Sequence, residues 1–175
     1  MAARSIDFWF TMSSTYTYLS VGRIDTVAKA AGVAVSWRPF RNVGALTGAT
    51  QPPFLEGTAK MQYMWRDIER RAAKHGLPIR LPVPYLGGDR FRANRVAILG
   101  MQEGWGPAYV RAGYRQWFEY GLNNGGEDNL RASLAECGLG EDIDRILSTA
   151  DGVSFDRALD LATDEARCRW RPEPV

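Results

Sequence analysis

Ile6, Phe8, Trp9 and Phe10 form a short apolar and aromatic run that ends in Thr11-Met12-Ser13-Ser14-Thr15. β-Branched and aromatic side chains pack well on a pleated surface, so the run predicts a strand near residues 5–11. Hydroxyl oxygens accept free backbone N–H groups, so Ser13, Ser14 and Thr15 predict a helix start. Apolar positions at Val21, Ile24, Val27, Ala28 and Ala31 carry that helix from about 15 to 31. Gly32 ends it, because glycine enters the left-handed conformation of a helix stop without steric cost. Val33 to Pro39 reads as a second short strand. A strand, a helix of this length and a second strand imply a parallel pair with a right-handed crossover.

The polar and apolar pattern then turns helical. Met61, Met64, Trp65, Ile68 and Ala72 mark one helix face, closed by Gly76. Pro78, Pro82 and Pro84 hold an extended connection. Ala93, Val96, Ala97, Gly100 and Met101 mark the next helix, and Val110, Tyr114, Trp117 and Phe118 another after Pro107. Asn123-Asn124-Gly125-Gly126 breaks the pattern. Leu130, Leu134 and Cys137 form a short face, and Ile143, Ile146 and Leu147 a further one. Ser154 is placed to cap a last helix that turns Phe155, Ala158, Leu159, Ala162 and Ala166 inward.

Composition narrows the function classes. A chain of 175 residues holds one or two small cores, and its 45% hydrophobic content is ordinary for a globular protein. A net charge of +2 with scattered arginines argues against nucleic acid or a membrane surface as partner. No apolar run is long enough to span a bilayer, and no secretory leader is recognisable, so a cytoplasmic location is expected. The two cysteines, Cys137 and Cys168, lie far apart and outside any Cys-X-X-Cys, which removes the usual thiol–disulfide nucleophile. The single His75 sits before Gly76, where a helix C-terminus favours positive charge, and no metal-ligand spacing surrounds it.

The candidate chemistry lies at the first strand–helix junction. Exposed N–H groups at a helix start attract anions, so Ser14 is placed either to serve a ligand or to cap the helix. Trp105, Tyr109, Tyr114, Trp117, Phe118 and Tyr120 either wall a flat aromatic substrate or pack the core, and periodicity alone does not separate the two.

The run Asp7-Phe8-Trp9-Phe10 through Ser14-Thr15-Tyr16-Thr17-Tyr18-Leu19 resembles the start of 2-hydroxychromene-2-carboxylate isomerases and their relatives, the kappa-class glutathione transferases. Trp37-Arg38-Pro39-Phe40, Gln51-Pro52-Pro53 and Lys60-Met61-Gln62-Tyr63 resemble that family's strand, Pro-rich loop and helix start. Gly76-Leu77-Pro78 and Phe91-Arg92-Ala93-Asn94-Arg95 resemble its helical insertion, and the likeness covers roughly residues 5–167. The family's Ser-Pro-aromatic-Ser motif is altered, with Thr15 for Pro and Thr17 for the second Ser.

The resemblance implies an α/β, thioredoxin-like βαβ unit formed by residues 1–55 and 151–167, with a large helical insertion over 56–150. It implies glutathione as cofactor, an aromatic small-molecule substrate and cis–trans isomerisation in aromatic-compound catabolism. Ser14 would be the catalytic residue, standing where redox relatives carry a cysteine. Ser14, Thr50 and Lys60 would contact glutathione, Thr50 replacing a family Asn. Lys60, Tyr63 and Asn94 would contact substrate. The family's C-terminal ββα and cis-Pro turn find no match in the sequence given, and residues 168–175 read as an irregular tail, either naturally short or of the kind a frameshift or truncation leaves. Two strands and a helix would need roughly 25–30 residues more. Two alternatives therefore stand beside the isomerase: a glutathione transferase acting on other electrophiles, and a non-catalytic remnant. If those elements are needed, the chain is expected either to be marginally stable or to pair its exposed strand edge with another copy as a homodimer.

Overall fold

The structure, a computed structural model, describes residues 4–49, 53–85, 89 and 91–169. Strands β1 (Arg4–Phe10) and β2 (Val33–Pro39) pair in parallel, in a register from Arg4 opposite Val33 to Phe10 opposite Pro39. The Phe40 N–H donates to the Phe10 carbonyl at 2.9 Å. In a parallel ladder this bond fixes the alternation: Arg4, Ile6, Phe8 and Phe10 direct their backbone groups toward β2, and Ser5, Asp7 and Trp9 direct theirs away. On β2 the same alternation turns the Pro39 ring nitrogen away from β1, so a residue without an N–H costs the ladder nothing. Phe8, Phe10 and Trp37 pack edge to face on one side of the sheet, with centroids 5.1 and 5.7 Å apart.

The crossover between the strands is two helices, not the single helix that periodicity predicts. Helix α1 (Thr17–Val21) and helix α2 (Ile24–Ala30) are separated at Gly22-Arg23. Arg23 leaves the helical region at φ −130°, and its Nε donates to the Leu19 carbonyl at 3.1 Å, satisfying a group that helix continuation would have used. Leu77 presses on the break: a Cβ on Gly22 would lie 2.7 Å from the Leu77 Cδ2.

After a short helix α3 (Val43–Thr47), the chain builds a helical body from α4 (Ala59–Lys74), α5 (Arg92–Glu103), α6 (Gly106–Phe118), α7 (Glu127–Glu136) and α8 (Ile143–Ala150). Thr58 caps α4 by accepting the Met61 N–H at 3.2 Å, and Gly76 stops it at φ +66°. The face read as Met61, Met64, Ile68 and Ala72 is buried as expected. The Pro-rich connection is fastened to α6, with the Arg80 N–H on the Phe118 carbonyl at 2.8 Å and Trp117 Nε1 on the Pro84 carbonyl at 2.7 Å. Tyr109, Tyr114, Trp117 and Phe118 are core residues, and Tyr18 stacks on Phe118 at 4.3 Å. The aromatic cluster thus packs the interior, with Tyr120 exposed at its end.

The last helix, α9 (Val153–Arg169), returns to the sheet and packs against α5 and β2. It begins one residue ahead of Ser154 and runs through Cys168 and Arg169, two residues the sequence places in an irregular tail. Residues 170–175 of that tail lie outside the described residues, as does Thr50. Among the described residues the sheet has two strands, and no helix is long and apolar enough to cross a membrane.

Candidate active site

The junction between β1 and α1 is a turn whose backbone is held by side chains from distant elements. Asn94, on α5, accepts the Met12 N–H on Oδ1 at 2.7 Å. Its Nδ2 donates to Thr11 Oγ1 and to the Arg41 carbonyl, both at 3.1 Å. Thr11 Oγ1 itself donates to the Arg41 carbonyl at 2.5 Å and meets Ser13 Oγ at 3.1 Å. Tyr114, on α6, aims its hydroxyl at the carbonyls of Thr11 (2.8 Å) and Ser14 (3.0 Å). Asn124 donates its Nδ2 to the Met12 carbonyl, leaving its buried Oδ1 without a partner among the described residues.

These clamps place Ser14 three residues before α1. Its N–H donates to the Thr11 carbonyl at 3.1 Å, and its Oγ accepts the Thr17 N–H at 3.4 Å. Among the described residues the hydroxyl proton is committed to no acceptor. Ser14 is half-buried and opens on a cleft of about 500 Å³. The cleft is walled by Phe8, Trp9 and Phe10 of β1, by Phe40 and Leu46, and by Ala166 and Arg169 of α9. Asp7 and Thr11 supply polar groups at its rim, and Arg169 Nη1 stands 3.4 Å from the Asp7 carboxylate. The arrangement suits an apolar or aromatic group beside one hydroxyl donor and one ion pair. Since α1 has five residues, its dipole adds little to that donor.

The other expected site residues are scattered. Asn94 is 0% exposed and its amide is fully engaged, so it lies beneath the turn as a bracket and does not line the Ser14 cleft. Lys60 sits on the first turn of α4 with its ammonium 5.4 Å from the Phe54 ring centroid, and Tyr63 is 65% exposed one turn on. Neither lines the Ser14 cleft. Thr11, Asn124 and Arg169 were not marked as site residues in the sequence, Trp9 was read as strand, and Tyr114 as core or substrate wall. Asn123-Asn124 signalled only a chain break, and nothing local ties α6 or α9 to a turn so far away in the chain.

Burial moves several ionisable groups. The Tyr114 phenol is pushed well above its ordinary range by complete burial, so it keeps its proton and donates it to the carbonyls it bridges. Tyr18 is raised to about 12, chiefly by burial and then by Glu119. The Cys137 thiol is raised by burial and by Glu136, the opposite of an activated thiolate. Cys168 is exposed near the end of α9, and neither cysteine lines the Ser14 cleft. His75 is lowered by burial and by Arg23, Lys74 and Arg71. Among the described residues no group of three or more His, Cys, Asp or Glu could hold a metal ion.

A parallel β1–α–β2 unit carrying a helical body and a polar turn at the first helix is a thioredoxin-like arrangement. The chain belongs to the DsbA-like thioredoxin domain family, whose model matches residues 5–169. It is similar to a 2-hydroxychromene-2-carboxylate isomerase of Sphingobium xenophagum, 27% identical over 141 residues that cover 79% of this chain and 71% of that protein. A solved 2-hydroxychromene-2-carboxylate isomerase shares the fold, with a TM-score of 0.78 and 21% identity over 94% of this chain and 80% of that one. So does the cytosolic disulfide reductase DsbM of Pseudomonas aeruginosa, solved with GSH, with a TM-score of 0.66 and 18% identity over 94% of this chain and 80% of that one.

Proposed function

We propose that the chain is a glutathione-dependent cis–trans isomerase of the 2-hydroxychromene-2-carboxylate type. The observation that carries the reading is the Ser14 hydroxyl, its proton uncommitted among the described residues, opening on an aromatic-walled cleft. Similarity to the Sphingobium isomerase supports the reaction, and the fold shared with a reductase solved with GSH supports the cofactor. The residues present fit glutathione: a hydroxyl donor for sulfur, apolar walls, and an Arg169–Asp7 pair at the rim for its charged ends. When bound, glutathione supplies a thiol nucleophile that adds reversibly to a conjugated ring-opened substrate and so permits rotation about the former double bond.

The chain's own contribution is to hold the thiol proton off the sulfur. A hydrogen bond to a charged group contributes about 1.5–3 kcal/mol. One pKa unit corresponds to about 1.4 kcal/mol, so Ser14 lowers the thiol pKa by roughly one to two units. Asn94 and Tyr114 keep the hydroxyl aimed by fixing the turn on either side of it. Lys60 and Tyr63 do not line the cleft and remain substrate contacts by family resemblance alone, Lys60 for a carboxylate.

The test is the absorbance of bound thiolate against pH, for the native chain and Ser14→Ala. The variant loses a donor aimed at charge and keeps the cleft's shape. Its midpoint is expected about one to two units higher, with glutathione affinity changed less. Equal midpoints reject the catalytic role of Ser14, and no binding to the native chain rejects glutathione dependence. Products separate an isomerase from a glutathione transferase: the substrate returns as its isomer, or as a conjugate.

A further inference from the structure

We infer that Arg41 is a positioning residue for the Ser14 hydroxyl: it ties the turn before α1 to α9, and it decides which of Thr11, Ser13 and Ser14 keeps a proton to give. The inference rests on the glutathione reading only for what Ser14 does with that proton. The Arg41 side chain is 18% exposed and reaches two carboxylates of α9, Nη2 donating to Asp156 at 2.9 Å and Nε to Asp160 at 2.6 Å. Its guanidinium also stands 5.1 Å from the Phe91 ring centroid. Its backbone N–H donates to Thr163 Oγ1 at 3.0 Å. Asp156, Asp160 and Thr163 follow one another at spacings of four and three, so they share one face of α9. Thr163 commits its own proton to the Leu159 carbonyl at 2.7 Å, which leaves its oxygen to accept. Main chain and side chain of Arg41 are thus both fastened to α9, and the carbonyl of the same residue is the acceptor that Thr11 and Asn94 reach.

A count of protons gives the polarity of the chain of hydroxyls. Asn94 Oδ1 accepts the Met12 N–H, so Nδ2 is the end that donates to Thr11 Oγ1. A carbonyl can only accept, so Thr11 gives its single proton to Arg41. Ser13 Oγ, 3.1 Å from Thr11 Oγ1, is then the donor of that pair. A hydroxyl gives one proton and accepts at two lone pairs, so Thr11 is saturated by Arg41, Asn94 and Ser13. Ser13 has committed its proton, and Ser14 keeps its own. Releasing the Arg41 carbonyl undoes this order. Thr11 can then give its proton to Ser13, whose proton is set free, and the Met12–Ser14 backbone loses one of its brackets. The fixed point of the turn therefore lies on α9, which Arg41 alone joins to Thr11 and Asn94 among the bonds described.

Two readouts keep this inference apart from the isomerase reading. The first needs no ligand: native-state hydrogen exchange at the Met12 and Ser14 amides, measured against the Val110 amide. Arg41→Ala is expected to speed exchange at Met12 and Ser14 about tenfold or more beyond any change at Val110. Arg145→Ala takes an arginine from two carboxylates, Glu103 and Asp142, without touching the turn, and is expected to change all three amides alike. The second readout is the pH midpoint of bound glutathione thiolate. Arg41→Ala is expected to raise it by about one unit. Arg41→Lys should recover part of that shift, since an ammonium still pairs with one of the two aspartates. Thr11→Val, which can neither give nor take a proton, should behave like Arg41→Ala, and Thr11→Ser like the native chain. Ser13→Ala removes a proton already committed, so it should shift the midpoint less than Ser14→Ala does. Exchange at Met12 and Ser14 that merely follows Val110 in Arg41→Ala overturns the inference, whether or not glutathione binds. On a native chain that binds glutathione, an unmoved midpoint in Arg41→Ala also overturns it, as does a Ser13→Ala shift equal to that of Ser14→Ala. A native chain that binds no glutathione rejects the isomerase reading instead, and the exchange measurement then decides the role of Arg41.

Discussion

Asn94 spends every polar atom of its side chain on the turn that carries Ser14. Replacing it with Ala leaves the Met12 N–H and the Arg41 carbonyl buried with a partner gone. Each such loss costs about 1–3 kcal/mol, and partial relaxation shares the strain between them. Asn94→Ala is expected to lower unfolding stability by about 2–4 kcal/mol in a denaturant titration. Tyr114→Phe keeps the ring stacked in the core and removes one donor, so about 1–2 kcal/mol is expected there. In both variants the bound-thiol midpoint should drift toward that of Ser14→Ala, because the hydroxyl is no longer held. Asn94 entered the sequence reading as a substrate contact through family resemblance, and its job as a bracket for the turn was not legible. Its partners lie more than 50 positions away, and a single chain carries no local signal of so distant a contact.

Periodicity found the helices at the scale of elements because burial of one face writes itself into spacing. It missed the break at Gly22-Arg23, which depends on Leu77 arriving from a different segment. It also missed how closely α5 and α6 cross. A Cβ on Gly100 would lie 2.6 Å from the Trp105 ring and 2.8 Å from the Gly106 Cα. Neither neighbour is the flexible end of a side chain, so Gly100→Ala is expected to destabilise by about 1–3 kcal/mol in thermal melts. Helix α4 is tied to the turn before α1 by Asp67, which accepts from Tyr16 Oη at 3.1 Å, Arg71 Nε at 2.8 Å and Arg70 Nη2 at 3.1 Å. Desolvation raises the Asp67 carboxyl, but Arg71, Tyr16 and Arg70 together outweigh it and hold the carboxyl below its ordinary range. A pKa lower in the folded than in the unfolded chain gives stability that is full above the unfolded value, about 4, and is lost as pH falls through the folded one. Melting temperature followed from neutral pH into acid should therefore drop below about pH 4. The drop should be shallower in Asp67→Asn, whose melting temperature is already lower at neutral pH. Parallel acid limbs in the two proteins would remove Asp67 from the account.

Among the described residues the molecule is lopsided: a two-stranded sheet leans on a helical body that holds most of the core. Strand alternation and the crossover rule made the parallel pair legible, since a helix-length connection leaves little else. What covers the sheet was not legible, because edges are closed by chain from elsewhere. The lopsidedness has a measurable consequence along β1 itself. From Arg4 to Asp7 the strand is exposed, and from Phe8 inward it becomes buried until Phe10 joins the main core. Its N–H groups also alternate between bonding β2 and facing outward. Native-state hydrogen exchange on dilute protein should therefore show two superposed patterns. Protection should climb from Ile6 through Phe8 to Phe10, whose amides open at successively higher free energy. Ser5, Asp7 and Trp9 should exchange far faster than these neighbours, as among the described residues their amides bond no strand. Amides in the middle of α5 and α6, around Val96 and Val110, should open only with global unfolding. If β1 instead exchanged uniformly and at the global rate, the sheet would be an equal partner in one cooperative unit, and the helical body would not be its support.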